Sequence, residues 1–179
     1  MNVEHEAIYP IAAALCAFAG AVFDVRSRRI PNFITGPALL FGLLLHAEVG
    51  GWRDMFSALA AGLICGAVFL IFYLAGGMGA GDVKLIAAVG CIAGMPSVAY
   101  LLVLTALAGG VMGIGMAVVR GQLKATLLNV GSLASHHGRQ GLQPHPELNV
   151  LNASTLRLPY AVAIAAGCFM TLYLQSFPR

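Results

Sequence analysis

Charge is scarce in this chain. Lys, Arg, Asp and Glu make up 9% of its 179 residues, against about a quarter in an ordinary soluble domain. Hydrophobic residues make up 59% and the mean hydropathy is +0.86. A water-soluble globule is excluded, because the apolar runs are too long and too numerous for one buried core. The four cysteines, Cys16, Cys65, Cys91 and Cys168, lie inside apolar runs and form no C-x-x-C pair. That excludes a zinc ribbon, and the thiols read as small apolar fillers between helices. No H-E-x-x-H occurs, and no Gly-Lys-Ser/Thr follows Gly79-x-Gly81, so zinc-protease and phosphate-loop chemistry are set aside. The first seven residues carry Glu4 and Glu6 but no Lys or Arg, which is the wrong start for a secretory leader. The first apolar run is therefore expected to be a retained span. The net charge is +3, yet the bases sit between apolar segments and do not form a patch interleaved with aromatics. They mark membrane topology and argue against a nucleic-acid partner.

What remains is an all-α integral membrane protein, a bundle of about six transmembrane helices forming one domain over residues 1–179. The apolar segments cover residues 8–23, 33–45, 55–74, 83–94, 98–119 and 158–174. The second is short, contains Pro37 and is expected to start with Asn32 as its cap. His46, Glu48, Gly50, Gly51, Arg53 and Asp54 are expected to form a polar turn, with Trp52 as an interfacial anchor. The fourth segment is shorter than the roughly 20 residues of a perpendicular span. Residues 120–157 form the one long polar stretch, rich in Gly, Pro, His and Asn, and read as a loop or a short surface helix. Gly62-x-x-x-Gly66, Gly90-x-x-x-Gly94 and Gly109-x-x-x-Gly113 predict close helix packing. No internal repeat is evident.

Orientation follows from the bases. With the Asp24 loop in the cytoplasm, Arg26, Arg28, Arg29, Lys84, Arg120, Lys124, Arg139 and Arg157 fall inside, and only Arg53 and Arg179 fall outside. The same span count puts Asp24 and Asp82 on one membrane face.

The acids are Glu4, Glu6, Asp24, Glu48, Asp54, Asp82 and Glu147. On the cytoplasmic side only Asp24 and Asp82 end apolar segments, and an acid at such a place is expensive unless it works. Two carboxylates that approach closely share one proton. The ionised partner then takes a proton from water while the protonated one polarises a carbonyl. The pair titrates as a unit, and its chemistry needs neither metal nor cofactor. Ser135, His136, His137 and His145 share the polar stretch and read as a solvated loop, not a metal site. Gly79 and Gly81 are expected to give Asp82 its backbone shape. For Lys84 two readings stand: a partner of the ionised Asp82 or of substrate, or a side chain extended to the headgroups. Arg26, Arg28 and Arg29 read as topology determinants, and Pro31 and Asn32 as shaping the turn and helix start.

Gly79-Ala80-Gly81-Asp82-Val83-Lys84-Leu85 resembles the G-x-G-D-x-K-L signature of the prepilin peptidases, a family of G-x-G-D intramembrane aspartyl proteases. Asp24 followed by Arg28-Arg29-Ile30-Pro31-Asn32 is similar to the family's first-aspartate region. Arg157-Leu158-Pro159-Tyr160-Ala161, with Ala163 and Gly167, is similar to the opening of its last span. The resemblance implies that Asp24 and Asp82 are the catalytic aspartates. It also implies that prepilin or pseudopilin precursors are cut after a short basic leader, at the cytoplasmic face of a bacterial inner membrane. The bifunctional members carry a further cytoplasmic domain with two C-x-x-C pairs, which goes with N-methylation. Here the next span begins within nine residues of Asp24, which resembles the short Flp/Tad-type form without methyltransferase activity. Two other readings remain at this point: a small proton- or cation-coupled transporter or channel component, and a pilus-assembly subunit without activity.

Overall fold

The computed structural model describes residues 3–141 and 158–176, and every regular element among them is helical. The helices are α1 (Val3–Ser27), α2 (Asn32–Leu74), α3 (Ala80–Ala93), α4 (Val98–Val119), α5 (Leu123–Gln140) and α6 (Tyr160–Ser176), with a 3-10 turn at Met95–Ser97 before α4. Ile8–Ser27, Asn32–Leu74 and Met95–Val119 are long and apolar enough to cross a membrane, and Tyr160–Ser176 is a shorter apolar helix. The chain is thus a helical membrane protein, as its composition requires.

The helices pack in sequence α2, α3, α1, α6, α4, each chiefly against the next. Short α3 lies inside this arrangement and buries Leu85, Ile86, Val89 and Ile92 completely or nearly so. It is about 21 Å long at 1.5 Å per residue, and neighbouring protein covers what a longer span would offer to lipid. The outward residues are equally apolar: Leu15, Val111 and Leu63 are all more than 60% exposed. A lipid solvent asks for that.

Glycine sets how close the helices come. A methyl on Gly62 would stand 2.8 Å from the Ala87 carbonyl oxygen, and one on Gly90 would stand 2.6 Å from Cys65 Sγ. The α2–α3 contact is therefore backbone against backbone, where dispersion is strongest in the absence of a hydrophobic driving force. Gly94 serves another purpose, ending α3 with a φ of +77.

Two sequence expectations are corrected and one is sharpened. The turn expected over residues 46–54 is a single break at Gly51, whose φ of 76 and ψ of −173 suit only glycine, with helical residues on either side. The two halves of α2 fold back on each other there, since methyls on Gly42 and Gly62 would meet Ile92 and Cys91 of α3. His46 is buried, stacked on Tyr9 with ring centroids 4.2 Å apart, and its Nε2 donates to the Ile92 carbonyl at 3.2 Å. Asn32 does not cap α2: Pro31 holds the cap position at φ −76 and ψ 146, with no side-chain capping bond. Residues 123–140 form a full helix of 18 residues, longer than the short surface helix expected. His145, Glu147 and Arg157 lie outside the described residues.

Candidate active site

At one end of the bundle α1 and α4 finish while α3 and α6 begin. Asp24 sits in the last turn of α1. The helix then closes with the Arg28 N–H donating to the Asp24 carbonyl at 2.8 Å and Ser27 Oγ donating to the Phe23 carbonyl at 2.8 Å. Arg28 has φ +52, the one positive value among non-glycine residues described. A left-handed arginine is uncommon and costs about 1 kcal/mol or more. It reverses the chain directly beneath Asp24 and leaves the guanidinium charge acting on that carboxylate.

Asp82 enters from the other side. Gly76, at φ +77, turns the chain out of α2. Gly79 is extended at φ −87 and ψ 152, and α3 starts at Ala80. Asp82 occupies the third helical position, where its Oδ2 accepts from the Gly79 N–H at 3.3 Å, half of a capping box at a positive helix end. Its residue exposure is 9%, and its Oδ1 is buried without a hydrogen-bond partner among the described residues.

Two clefts meet at these carboxylates. The larger, of about 340 Å³, is lined by the charged Asp24, Arg28, Asp82 and Arg120 together with Met78, Met116, Leu158 and Tyr160. The smaller, of about 320 Å³, runs over Arg29, Ile30, Ala80 and Gly81. Asp24, Arg28, Gly79 and Asp82 line both. Asp82 lies in the electrostatic field of Asp24. The backbone N–H of Ala161, in the first turn of α6, faces the Asp24 carboxylate, so each acid stands at a helix N-terminus.

The neighbouring motif residues bind the two loops together. Lys84 Nζ donates to Asn32 Oδ1 at 2.9 Å, a direct bond between the segment after Asp24 and the segment after Gly81. Lys84 is exposed, and Asn32 is the partner its ammonium takes, whereas the sequence suggested Asp82, substrate or headgroups. Gly81 is not among the glycines with positive φ, and a methyl there would meet Ile30 Cβ at 3.2 Å. A methyl on Gly79 would lie 3.3 Å from Asp82 Oδ2. Both glycines thus allow close approach more than unusual backbone angles. Pro31 holds the turn between Ile30 and Asn32 in extended geometry.

Sequence reasoning placed Arg28 among topology determinants and left Arg120 and Tyr160 without a part in the site. Tyr160 carried a signal, the Pro-Tyr-Ala opening of the last span, whereas a left-handed arginine has none. Among the described residues no group of three or more His, Cys, Asp or Glu is gathered to hold a metal ion. Ser135 Oγ donates to the Ser132 carbonyl at 2.9 Å.

The comparisons with known proteins bear on the same part of the chain. A prepilin leader peptidase/N-methyltransferase of Aeromonas hydrophila is 35% identical over 104 residues, covering 54% of this chain and 36% of that protein. Its namesake from Aeromonas salmonicida strain A449 is 34% identical over 104 residues, covering 54% and 35%. The chain therefore aligns with about a third of the length of these curated relatives. No solved structure gives a significant match. The profile of the type IV leader peptidase family matches residues 11–114, a stretch that holds both aspartates and the Lys84–Asn32 bond, and the chain belongs to that family.

Proposed function

We propose that this protein is a membrane aspartyl endopeptidase that removes the short basic leader from Flp-like type IV prepilins, with Asp24 and Asp82 as the catalytic pair. One observation carries the reading: two acids from separate helices line the same two clefts at one end of the bundle. The buried, unpaired Asp82 Oδ1 adds to it. A carboxylate oxygen without a partner costs free energy, and an enzyme keeps one where a reacting group will fill the place.

In the proposed reaction the pair holds one proton. The ionised carboxylate removes a proton from water, and the resulting hydroxide attacks the scissile carbonyl carbon. The protonated carboxyl gives its proton to the carbonyl oxygen, forming a neutral gem-diol. Collapse breaks the C–N bond: the amine leaves with the proton that the first acid took, and one gem-diol hydroxyl returns its proton to the second acid, which restores the singly protonated pair. The substrate backbone lies across the junction of the two clefts. The Arg28 charge and the helix N-termini at Gly79 and Ala161 favour the ionised member of the pair. The apolar residues of the larger cleft, Met78, Met116 and Leu158, receive side chains flanking the cut.

The excess of bases at this end orients it to the cytoplasm of a bacterial inner membrane. Only the peptidase half of the relatives' name is proposed here, because the sequence carries both aspartates but no C-x-x-C pair. Membership of a peptidase family weighs against the transporter reading. The test is co-expression with a candidate prepilin in a host lacking its own prepilin peptidase, read by intact mass. The reading expects a pilin shortened by its leader. A precursor that keeps its full mass with every prepilin encoded beside the protein rejects the proposed substrate class.

A further inference from the structure

We propose that α5 is a second membrane-binding element, lying in the headgroup layer on anionic phospholipid with Leu123, Leu127 and Val130 directed into the acyl chains. The proposal is independent of the peptidase reading, for it rests on the helix and its attachment alone.

The attachment places α5 at the membrane boundary. The apolar span Met95–Val119 ends in a closed turn: Arg120 N–H donates to the Met116 carbonyl at 3.1 Å, Gly121 N–H to Val118 at 3.0 Å and Gln122 N–H to Ala117 at 2.8 Å. Gly121 has φ +64, which stops α4 and redirects the chain. Helix α5 begins at Leu123, and its first turn is fixed by Thr126 N–H donating to the Gln122 carbonyl at 2.8 Å. No linker lets it leave the surface.

Its residues fit that place. Leu123, Leu127 and Val130 recur at helical spacing on one face, with Leu127 64% and Val130 58% exposed. Asn129 and Ser132 fall on the opposite face and are exposed. The bundle leaves the apolar face open, since α5 packs chiefly against the end of α4. Lys124, Asn129, Ser132 and Ser135 make it too polar to cross. From Arg120 to Gln140 the chain has Arg120, Lys124 and Arg139 and no Asp or Glu. An amphipathic helix with basic charge and no acid matches an anionic lipid surface. A second copy of the chain would meet the same basic segment, and like charges would oppose each other.

The test uses the full chain in nanodiscs. Leu127→Trp and, separately, Asn129→Trp are made in a Trp52→Phe background, with lipids brominated high on the acyl chain. We expect L127W fluorescence to be quenched several-fold more than that of N129W. In the unsubstituted chain, amide exchange across 123–136 should slow at least threefold when phosphatidylcholine discs are given 30% phosphatidylglycerol, and Lys124→Glu should reduce that slowing. Equal quenching of the two positions overturns the proposal, as does an exchange rate indifferent to anionic lipid. A blue-shifted L127W signal that bromine does not quench overturns it in favour of contact with a second copy or another protein.

Discussion

Lys84 and Asn32 hold opposite ends of one hydrogen bond, and that bond joins the two segments that carry the acids. Either residue can be lost without touching Asp24 or Asp82, so its worth is measurable as a coupling. In a double-mutant cycle of Asn32→Ala and Lys84→Met, thermal unfolding in detergent should give a coupling of about 0.5–1.5 kcal/mol. Both single variants should lower the cleavage rate together, with no further loss in the double. Strict additivity in stability and rate would mean that the bond positions nothing. Gly81 offers a companion case. Gly81→Leu should push against Ile30 and depress activity at least tenfold while the protein still inserts, and Ile30→Ala should recover part of the loss. These roles were only half legible. The sequence marked Lys84 and Gly81 as belonging to a motif, but their partners lie across a turn whose path depends on a left-handed Arg28, and no residue pattern encodes that.

At the scale of elements, α2 and α3 meet where glycine removes every obstacle. Gly90→Ala should overpack against Cys65 and destabilise the protein by about 1–3 kcal/mol. Cys65→Ala in the same chain should return only part of that, because the sulfur goes but Cys65 Cβ, 2.9 Å from the new methyl, stays. Thermal unfolding of the four variants checks it, and a Gly90→Ala protein as stable as the parent would refute the close packing. The glycine spacing forecast this contact, and apolar run lengths forecast helix existence. They could not forecast which face of each helix turns inward, because in lipid both faces are apolar: Leu63 is exposed and Cys65 fully buried on one continuous run. The same blindness hid His46. A histidine among Glu48, Arg53 and Asp54 reads as a turn residue, yet Tyr9 and the Ile92 carbonyl together make burial cheap. Helix α5 was under-read for the converse reason, since Gly131, Ser132 and Ser135 weaken propensity while the Leu123, Leu127 and Val130 face supplies the driving force.

The whole molecule is a row of helices with α1 and α3 inside it, so the end of one and the start of the other become neighbours. Span counting alone put Asp24 and Asp82 on one face. The wall around them was beyond its reach, because Arg120 and Tyr160 come from α4 and α6, and their approach is a matter of packing order. The central claim is that these two carboxylates act as one site. The most direct measurement is the rate of leader removal from a purified prepilin by the parent, Asp24→Asn and Asp82→Asn proteins, each reconstituted in the same liposomes and matched for folded protein by thermal unfolding. The account predicts that each single substitution lowers the rate by about 10²–10⁴-fold and that the double substitution loses little more than either alone. Cleavage near the parent rate by either single variant would contradict it.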